Sequence, residues 1–131
     1  MRVAALIALL AAVGCGADTS APAAPPSGAT ELEITYWSQG RAAGPAKKWT
    51  LSCEPAGGTL RQAASACRKL GAMRNPFAPI PRNAICTELY GGPQVAHITG
   101  RFRGRALWTQ LARRNGCEIA RFERLSFLMR G

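Results

Sequence analysis

The side chains that support hydrolytic chemistry are scarce in this chain of 131 residues. His97 is the only histidine, and Asp18, the only aspartate, lies in a Pro- and Ala-rich segment near the N-terminus. A Ser-His-Asp triad needs three convergent groups, and no aspartate follows Asp18 to orient the histidine. Glu54, Glu118 and Glu123 would substitute only beside a nucleophile motif, which the sequence lacks, as it lacks a phosphate loop or metal-ligand spacing. We therefore predict a protein that is not an enzyme and holds no metal or cofactor, with His97 as an ordinary strand residue.

The five cysteines are an odd number for an exported chain. If Cys15 carries a lipid, the other four form an even set for an oxidising compartment: Cys53, Cys67, Cys86 and Cys117. Their spacing leaves three disulfide pairings open. A four-cysteine zinc site is the competing interpretation, but no two of them are separated by the short gap that such sites use.

One cysteine-containing stretch, AICTELYGGPQ at residues 84–94, has the features of a binding loop. Pro81 stiffens its approach, Cys86 anchors it, and the turn at residues 91–93 leads the chain away, so Glu88, Leu89 and Tyr90 are expected to be extended and exposed. A segment held in this form binds an extended-peptide groove without the ordering cost of about 0.5–1.5 kcal/mol per side chain. Proteases have such grooves, so the stretch indicates a substrate-like protease inhibitor. The alternative is a disulfide-anchored loop without a partner.

The elements that must position this loop are strands and one helix. The helix is predicted from a Thr59-x-x-Gln62 capping box through Leu70, and Arg103-Gly104 and Asn115-Gly116 are predicted turns. The segments with strand character, the last giving one or two strands, are Leu32–Trp37, Lys48–Cys53, Gln94–Phe102, Ala106–Leu111 and Ala120–Met129. About five strands and one helix without βαβ alternation predict an α+β fold with an antiparallel sheet.

The N-terminal segment has the layout of an export signal. Arg2 precedes an apolar run that is too short to span a bilayer, and Ala-Val-Gly-Cys at residues 12–15 resembles a lipobox. We predict a signal peptide at 1–14, a lipidated Cys15 beginning a disordered tether at 15–30, and a folded domain at 31–131. The chain would be a cell-surface lipoprotein. With ordinary cleavage near Ala17 or Ala21 instead, it would be extracellular.

The formal net charge of +10 favours anionic partners, or it is simply a solvated basic surface. The run Arg-Phe-Arg-Gly-Arg at residues 101–105 has the composition of a nucleic-acid patch. We interpret it as the exposed face of a hairpin tip, because an exported protein meets little nucleic acid. A non-inhibitory cell-envelope module that binds anionic partners through the arginine-rich face is the alternative to an inhibitor.

From about Leu32 to the C-terminus the chain resembles the Streptomyces subtilisin inhibitor family. The resemblance rests on WTLSCEPAGGT, AASACRKLGAM, CTELYGGPQ and NGCEIARFERL, and on the order and spacing of the four domain cysteines. It covers nearly the whole predicted domain. It implies a five-stranded antiparallel sheet with one main helix packed on it and the disulfides Cys53–Cys67 and Cys86–Cys117.

The resemblance also implies a reactive bond between Glu88 and Leu89, two residues after the third domain cysteine. Ile85, Cys86 and Thr87 would lie along the non-primed groove of the protease, Glu88 in its S1 pocket, and Leu89 and Tyr90 on the leaving side. Dimers through the sheet are common in the family.

The chain departs from the family at Glu88, where Met or Lys is more usual. A carboxylate that enters an apolar pocket loses its hydrating water at a cost of several kcal/mol unless a basic group in the pocket pairs with it. The target would then be a protease with a basic or polar S1 pocket, such as a glutamyl endopeptidase, or inhibition of ordinary subtilisins would be weak. A third possibility is a loop that no longer inhibits.

Overall fold

The computed structural model describes Gly16 and residues 28–131. The predicted signal peptide, the predicted lipidation at Cys15 and nearly all of the predicted tether therefore lie outside the described residues. The elements follow in the order β1 (Thr30–Trp37), β2 (Lys47–Cys53), α1 (Ala63–Ala72), β3 (Val95–Phe102), β4 (Arg105–Leu111), α2 (Gly116–Arg124) and a 3₁₀ helix (Ser126–Met129).

The strands form one antiparallel sheet in the order β2-β1-β3-β4. Ile34 of β1 lies opposite Trp49 on one side and Ile98 on the other, so apolar residues of neighbouring strands share a face. This face is buried under the helices, as the strand alternation predicts. The α+β class and the antiparallel sheet are confirmed, but the described residues contain four strands rather than the expected five.

The segment expected to supply the closing strands is helical, so that prediction was wrong. Its apolar residues are β-prone in composition, but Phe122, Leu125 and Leu128 are spaced by three and all are buried. Three-residue spacing places them on one side of a helix, whereas alternation would have split them between two faces of a strand. Asn115, expected in a turn, is instead the N-cap of α2, and its Oδ1 accepts a hydrogen bond from the Glu118 amide at 3.0 Å. The domain thus has two α-helices rather than one.

The predicted capping box at the start of α1 was also wrong. Helix α1 begins at Ala63, after Gln62 in a left-handed conformation (φ 56°), and its N-cap has no side-chain hydrogen bond. Thr59 pairs with β2 instead, because its Oγ1 accepts from the Thr50 amide at 2.9 Å and its amide donates to Thr50 Oγ1 at 3.1 Å. Thr59 therefore hydrogen-bonds to Thr50 at the edge of β2 and does not cap the helix.

The hairpin between β3 and β4 turns at Arg103-Gly104 as predicted, with positive φ at both residues. The Arg103 guanidinium turns back onto the end of α1, where it donates to the carbonyl oxygens of Leu70, Met73 and Arg74 at 2.9–3.2 Å. The central arginine of the basic run at residues 101–105 therefore satisfies the carboxyl end of a helix.

The sulfur atoms of all four domain cysteines lie in two disulfides, Cys53–Cys67 and Cys86–Cys117, which overturns the zinc alternative and confirms the pairing that the family resemblance implied. The first joins β2 to α1, and the second joins the loop of residues 84–94 to the first turn of α2. No helix in the described part of the chain is long and apolar enough to cross a bilayer.

Candidate functional site

The loop that the sequence singled out lies between α1 and β3 as an irregular, exposed segment. Ile85 is fully exposed, and the side chains of Leu89 and Tyr90 are 62% and 67% exposed. Thr87 and Glu88 are also exposed, and only Cys86 is partly buried. Large apolar side chains this open to solvent have no packing role within the domain, so they are available to a partner.

The entry to the exposed segment is fixed to α2 by two kinds of bond. The Cys86–Cys117 disulfide holds the Cα atoms 5.3 Å apart, and the Gly116 amide donates to the Thr87 carbonyl oxygen at 3.0 Å. Gly116 lies in close contact with the loop, because a Cβ on it would lie 2.1 Å from Thr87 Oγ1 and would require that side chain to rotate or the loop to move. The start of α2 therefore serves as a close-fitting platform beneath residues 86 and 87.

The exit from the segment is fixed by Arg113, which lies between β4 and α2. The Gly91 amide donates to the Arg113 carbonyl oxygen at 2.7 Å, and Arg113 Nε donates to the Gly91 carbonyl oxygen at 2.9 Å. A Cβ on Gly91 would lie 2.7 Å from the Ile119 side chain, so the loop backbone rests directly on α2. Sequence reasoning missed Arg113, and no local signal marks it, because its partner is 22 residues away.

Between these two anchors stand Glu88, Leu89 and Tyr90. Within the described part of the protein, these three residues make no hydrogen bond. Their backbone groups face solvent and are free to pair with an extended chain or groove of another protein. The structure thus places the six predicted loop residues in one segment, in which Cys86 and Thr87 are anchored to α2 and the last three, Glu88 to Tyr90, are open as far as the anchor at Gly91.

The platform under the loop is itself held by charged side chains. Arg114 donates from its amide and its guanidinium to the Glu118 carboxylate at 2.6–3.0 Å, and these hydrogen bonds lower the pKa of Glu118 from its ordinary value. Glu118 stands three residues after the N-cap Asn115, so the Asn-x-x-Glu spacing was a signal of this helix that the sequence reading did not use. Glu54, by contrast, lies in the β2–α1 connection, away from the loop.

Arg121, in the middle of α2, holds the chain that leads into the loop. Arg121 donates to the carbonyl oxygens of Phe77, Ala78 and Gln110 at 2.9–3.2 Å and to the Thr109 hydroxyl at 2.6 Å. Burial lowers the pKa of this guanidinium. The proline-rich entry segment is therefore fastened to β4 through α2.

His97 lies on the outer face of the sheet, away from the loop platform. It packs between Trp37 and Trp108, with ring centroids 5.2 and 5.6 Å away, and contacts Gln110 at 3.1 Å. Desolvation, followed by the neighbouring Arg41 charge, lowers the pKa of its imidazole. No nucleophile or carboxylate accompanies it within hydrogen-bond reach among the described residues, as expected for an ordinary strand histidine.

An antiparallel α+β domain with two disulfides and an exposed loop fastened to one of them is the architecture of a small, disulfide-stabilised binding protein. The sequence profile of the subtilisin inhibitor-like family matches residues 27–115, more than half of the chain, and the chain belongs to this family. Proteins of this family are protease inhibitors and not enzymes, so the predictions of family and of a non-enzymatic protein are confirmed.

Among solved structures, the chain is similar to one in the crystal structure of Streptomyces caespitosus sermetstatin in complex with Bacillus licheniformis subtilisin. The identity is 21% and the TM-score 0.48, over 77% of this chain and 96% of that chain. No curated protein matches this chain.

Proposed function

We propose that this protein inhibits a serine protease by offering the Glu88–Leu89 bond as a substrate-like reactive bond. Family membership supports serine protease inhibition, and a serine protease as the partner. The observation that carries the proposed position is the span from Glu88 to Tyr90, exposed and free of internal hydrogen bonds between anchors at Thr87 and Gly91.

In the proposed complex the loop lies in the protease groove as an extended peptide. Ile85, Cys86 and Thr87 occupy the non-primed side, Glu88 enters the S1 pocket, and Leu89 and Tyr90 lie on the leaving side. Because both flanks are already fixed, little chain entropy is lost on binding, which favours tight association. The same anchors keep the two ends near each other if the bond is cut, so the bond re-forms and the enzyme stays occupied.

Glu88 gives the proposed inhibitor its selectivity. Its carboxylate is exposed in the free protein and must lose water in the S1 pocket, at a cost of several kcal/mol unless a donor or cation receives it. We therefore propose a protease with a basic or polar S1 pocket, of the glutamyl endopeptidase class, ahead of an ordinary subtilisin.

The test is a tight-binding titration of the oxidised domain against subtilisin and against a Glu-specific serine endopeptidase. We expect stoichiometric inhibition of the Glu-specific enzyme at nanomolar concentration and weaker inhibition of subtilisin. Rapid one-way cleavage after Glu88, or no effect on either enzyme, would contradict the proposal.

We propose further that two copies pair through the outer face of the sheet, where the Trp108 side chain is 67% exposed beside His97 and Trp37. Sedimentation should give a dimer mass for the wild type and a monomer mass for Trp108→Lys. Ala64→Lys, an exposed change on α1 at the other face of the sheet, is the control and should stay dimeric.

Export and a lipid anchor at Cys15 are likewise proposals. Expression in a bacterium with labelled fatty acid should label the wild type in the membrane fraction. Cys15→Ala should lose the label, and an unlabelled, freely secreted wild type would contradict the anchor.

A further inference from the structure

Gly91, two residues after Leu89 of the proposed reactive bond, makes both of its backbone hydrogen bonds with one residue, Arg113. Its amide and its carbonyl oxygen pair with the Arg113 carbonyl oxygen and the Arg113 Nε at 2.7 and 2.9 Å. The carbonyl bond joins a charged donor to a partly buried acceptor, which makes it stronger than a neutral hydrogen bond.

The Arg113 side chain is itself held from two sides. It is 19% exposed, its Nη1 forms an ion pair with Glu123, and its guanidinium carbon lies 5.2 Å from the centre of the Phe122 ring. Both partners belong to α2, the helix to which Cys86 is bonded through Cys117. The entry and the exit of the loop are therefore fastened to the same rigid element, one by a covalent bond and the other by Arg113.

These two fastenings have different consequences once the bond is cut. The protease serine oxygen attacks the Glu88 carbonyl carbon, the bond to the Leu89 nitrogen breaks, and that nitrogen takes up the proton from the serine. The Glu88 side stays in place through Cys86. The new amino terminus at Leu89 is held through the bonds between Gly91 and Arg113. Without those bonds, the chain from Leu89 would next be held in a regular element only at β3, which begins at Val95.

We propose that Arg113 is the positioning residue that keeps the Leu89 amine beside the acyl group, so that the bond is resynthesised rather than lost to hydrolysis. In resynthesis the amine lone pair attacks the ester carbon, the ester C–O bond breaks, and the serine oxygen regains its proton. If the Leu89 end moves away, water attacks the ester instead. The ester C–O bond breaks, the serine hydroxyl is freed, and Glu88 is left with a main-chain carboxylate. This inference rests on the proposed inhibition and assigns durability of inhibition to a residue outside the loop.

The experiment compares Arg113→Met with Arg68→Met in the oxidised protein. Arg68 is an exposed arginine of α1, the helix that is fastened to β2 and not to the loop, so its removal controls for lost charge. Each protein is incubated with a catalytic amount of a serine protease that the wild type inhibits, and intact and cleaved forms are quantified at equilibrium. We expect the cleaved-to-intact ratio to rise about tenfold in Arg113→Met, the equivalent of one hydrogen bond to a charged group, and to change less than about twofold in Arg68→Met.

Hydrogen exchange at the Gly91 amide gives a readout that needs no protease. Arg113→Met keeps the bond from this amide to the main-chain carbonyl oxygen of residue 113 but removes the Nε–H bond to the Gly91 carbonyl oxygen, so the Gly91 segment should open more often. The amide should therefore exchange about tenfold faster in Arg113→Met and at the wild-type rate in Arg68→Met, at the same global stability. An unchanged Gly91 exchange rate, or an unchanged cleaved-to-intact ratio in a protein that inhibits, would overturn the inference. A wild type that inhibits no serine protease would overturn the proposed function, while the exchange rate would still report whether Arg113 fixes Gly91.

Arg113→Lys separates positioning from folding. Lysine retains the charge for Glu123 but has no Nε–H donor at the place that Gly91 uses, so thermal stability should stay near the wild-type value while the cleaved-to-intact ratio rises. A Lys variant with the wild-type ratio would overturn the role of the Nε hydrogen bond.

Discussion

At the scale of the residue, Glu88 differs from its neighbours in the loop because it alone carries a charge that the domain does not satisfy. Glu118 and Glu123 are paired with Arg114 and Arg113, whereas Glu88 makes no ion pair within the described residues. Its carboxylate therefore reaches any partner fully hydrated. What the partner offers that carboxylate decides the affinity.

Replacing this charge should redirect the inhibitor. Glu88→Arg presents a guanidinium to S1 pockets that carry a carboxylate, so affinity for a trypsin-like protease should rise at least about hundredfold, the effect of pairing rather than burying a lone charge. Inhibition constants measured by titration check this. Glu33→Arg makes the same charge change on exposed β1 and should leave both specificities unchanged; an equal effect of the two variants would contradict the S1 assignment of Glu88.

A second residue-scale prediction concerns the contact between the loop and α2. Gly116→Ala places a methyl group 2.1 Å from Thr87 Oγ1, so either the Thr87 side chain must rotate or the loop must shift, and inhibition should weaken about tenfold while the fold is retained. Adding Thr87→Ala removes that oxygen and should restore inhibition to the level of Thr87→Ala alone. If Gly116→Ala inhibits like the wild type, the platform does not shape the loop.

At the scale of the element, α2 holds both ends of the exposed span. It provides Cys117 and Gly116 to the entry, and its residues Glu123 and Phe122 hold the arginine at the exit. Helix α1, by contrast, is fastened to β2 and does not contact the loop through a disulfide. Loss of the disulfide to α2 should therefore affect inhibition, whereas loss of the disulfide to α1 should affect mainly the stability of the fold.

The two disulfides test this division. By chain entropy, the 14-residue and 31-residue spans contribute about 3 and 4 kcal/mol to the stability of the fold. Replacing Cys86 and Cys117 by serine should turn the inhibitor into a substrate at temperatures where circular dichroism still shows a folded protein. Replacing Cys53 and Cys67 should lower the unfolding temperature but leave inhibition durable below it.

The first turn of α2 should also make the domain acid-sensitive. Hydrogen bonds from Arg114 lower the folded-state pKa of Glu118 below its ordinary value of 4.5, so the ionised form is favoured by folding. This contribution is complete above that ordinary value and is lost as the pH falls through the folded pKa. In urea titrations between pH 7 and pH 3, Glu118→Gln should show a shallower loss of stability than the wild type; parallel curves would contradict the linkage.

At the scale of the whole molecule, the basic side chains behind the net charge of +10 do not all form a free surface, because several are bonded within the domain. The guanidinium groups of Arg103 and Arg121 are committed to backbone carbonyl oxygens, and Arg113 and Arg114 are ion-paired. These arginines therefore join elements of the fold to one another. This favours the inhibitor over a module that binds anionic envelope polymers through its arginine-rich face.

Salt dependence separates these two functions. Dissociation of the inhibitor from its protease should change little between about 0.05 and 0.5 M NaCl, because the loop contact is short-ranged and desolvated. Binding to an anionic polymer such as heparin should fall steeply over the same range. Tight, salt-sensitive binding of the polymer, together with absence of protease inhibition, would favour the envelope module.

The sequence alone determined the features that depend on neighbouring residues. Alternation placed β1 to β4 within a few residues of their observed bounds, and the Arg103-Gly104 turn was found because its chemistry is local. The loop of residues 84–94 was recognised from a cysteine, a turn and an exposed acidic residue. Local signals also misled: β-prone composition hid α2, although the capping pattern and three-residue spacing were present.

Only the tertiary structure decided which distant groups meet. The cysteine spacing left three pairings open, and the folded chain selected two bonds that join different layers. The pairing of Arg113 with Gly91 and of Arg103 with the end of α1 spans 22 and up to 33 residues, and nothing in either local sequence marks its partner. Such contacts depend on how the helices pack on the sheet, because a side chain of fixed type satisfies whichever carbonyl oxygen the packing brings within reach.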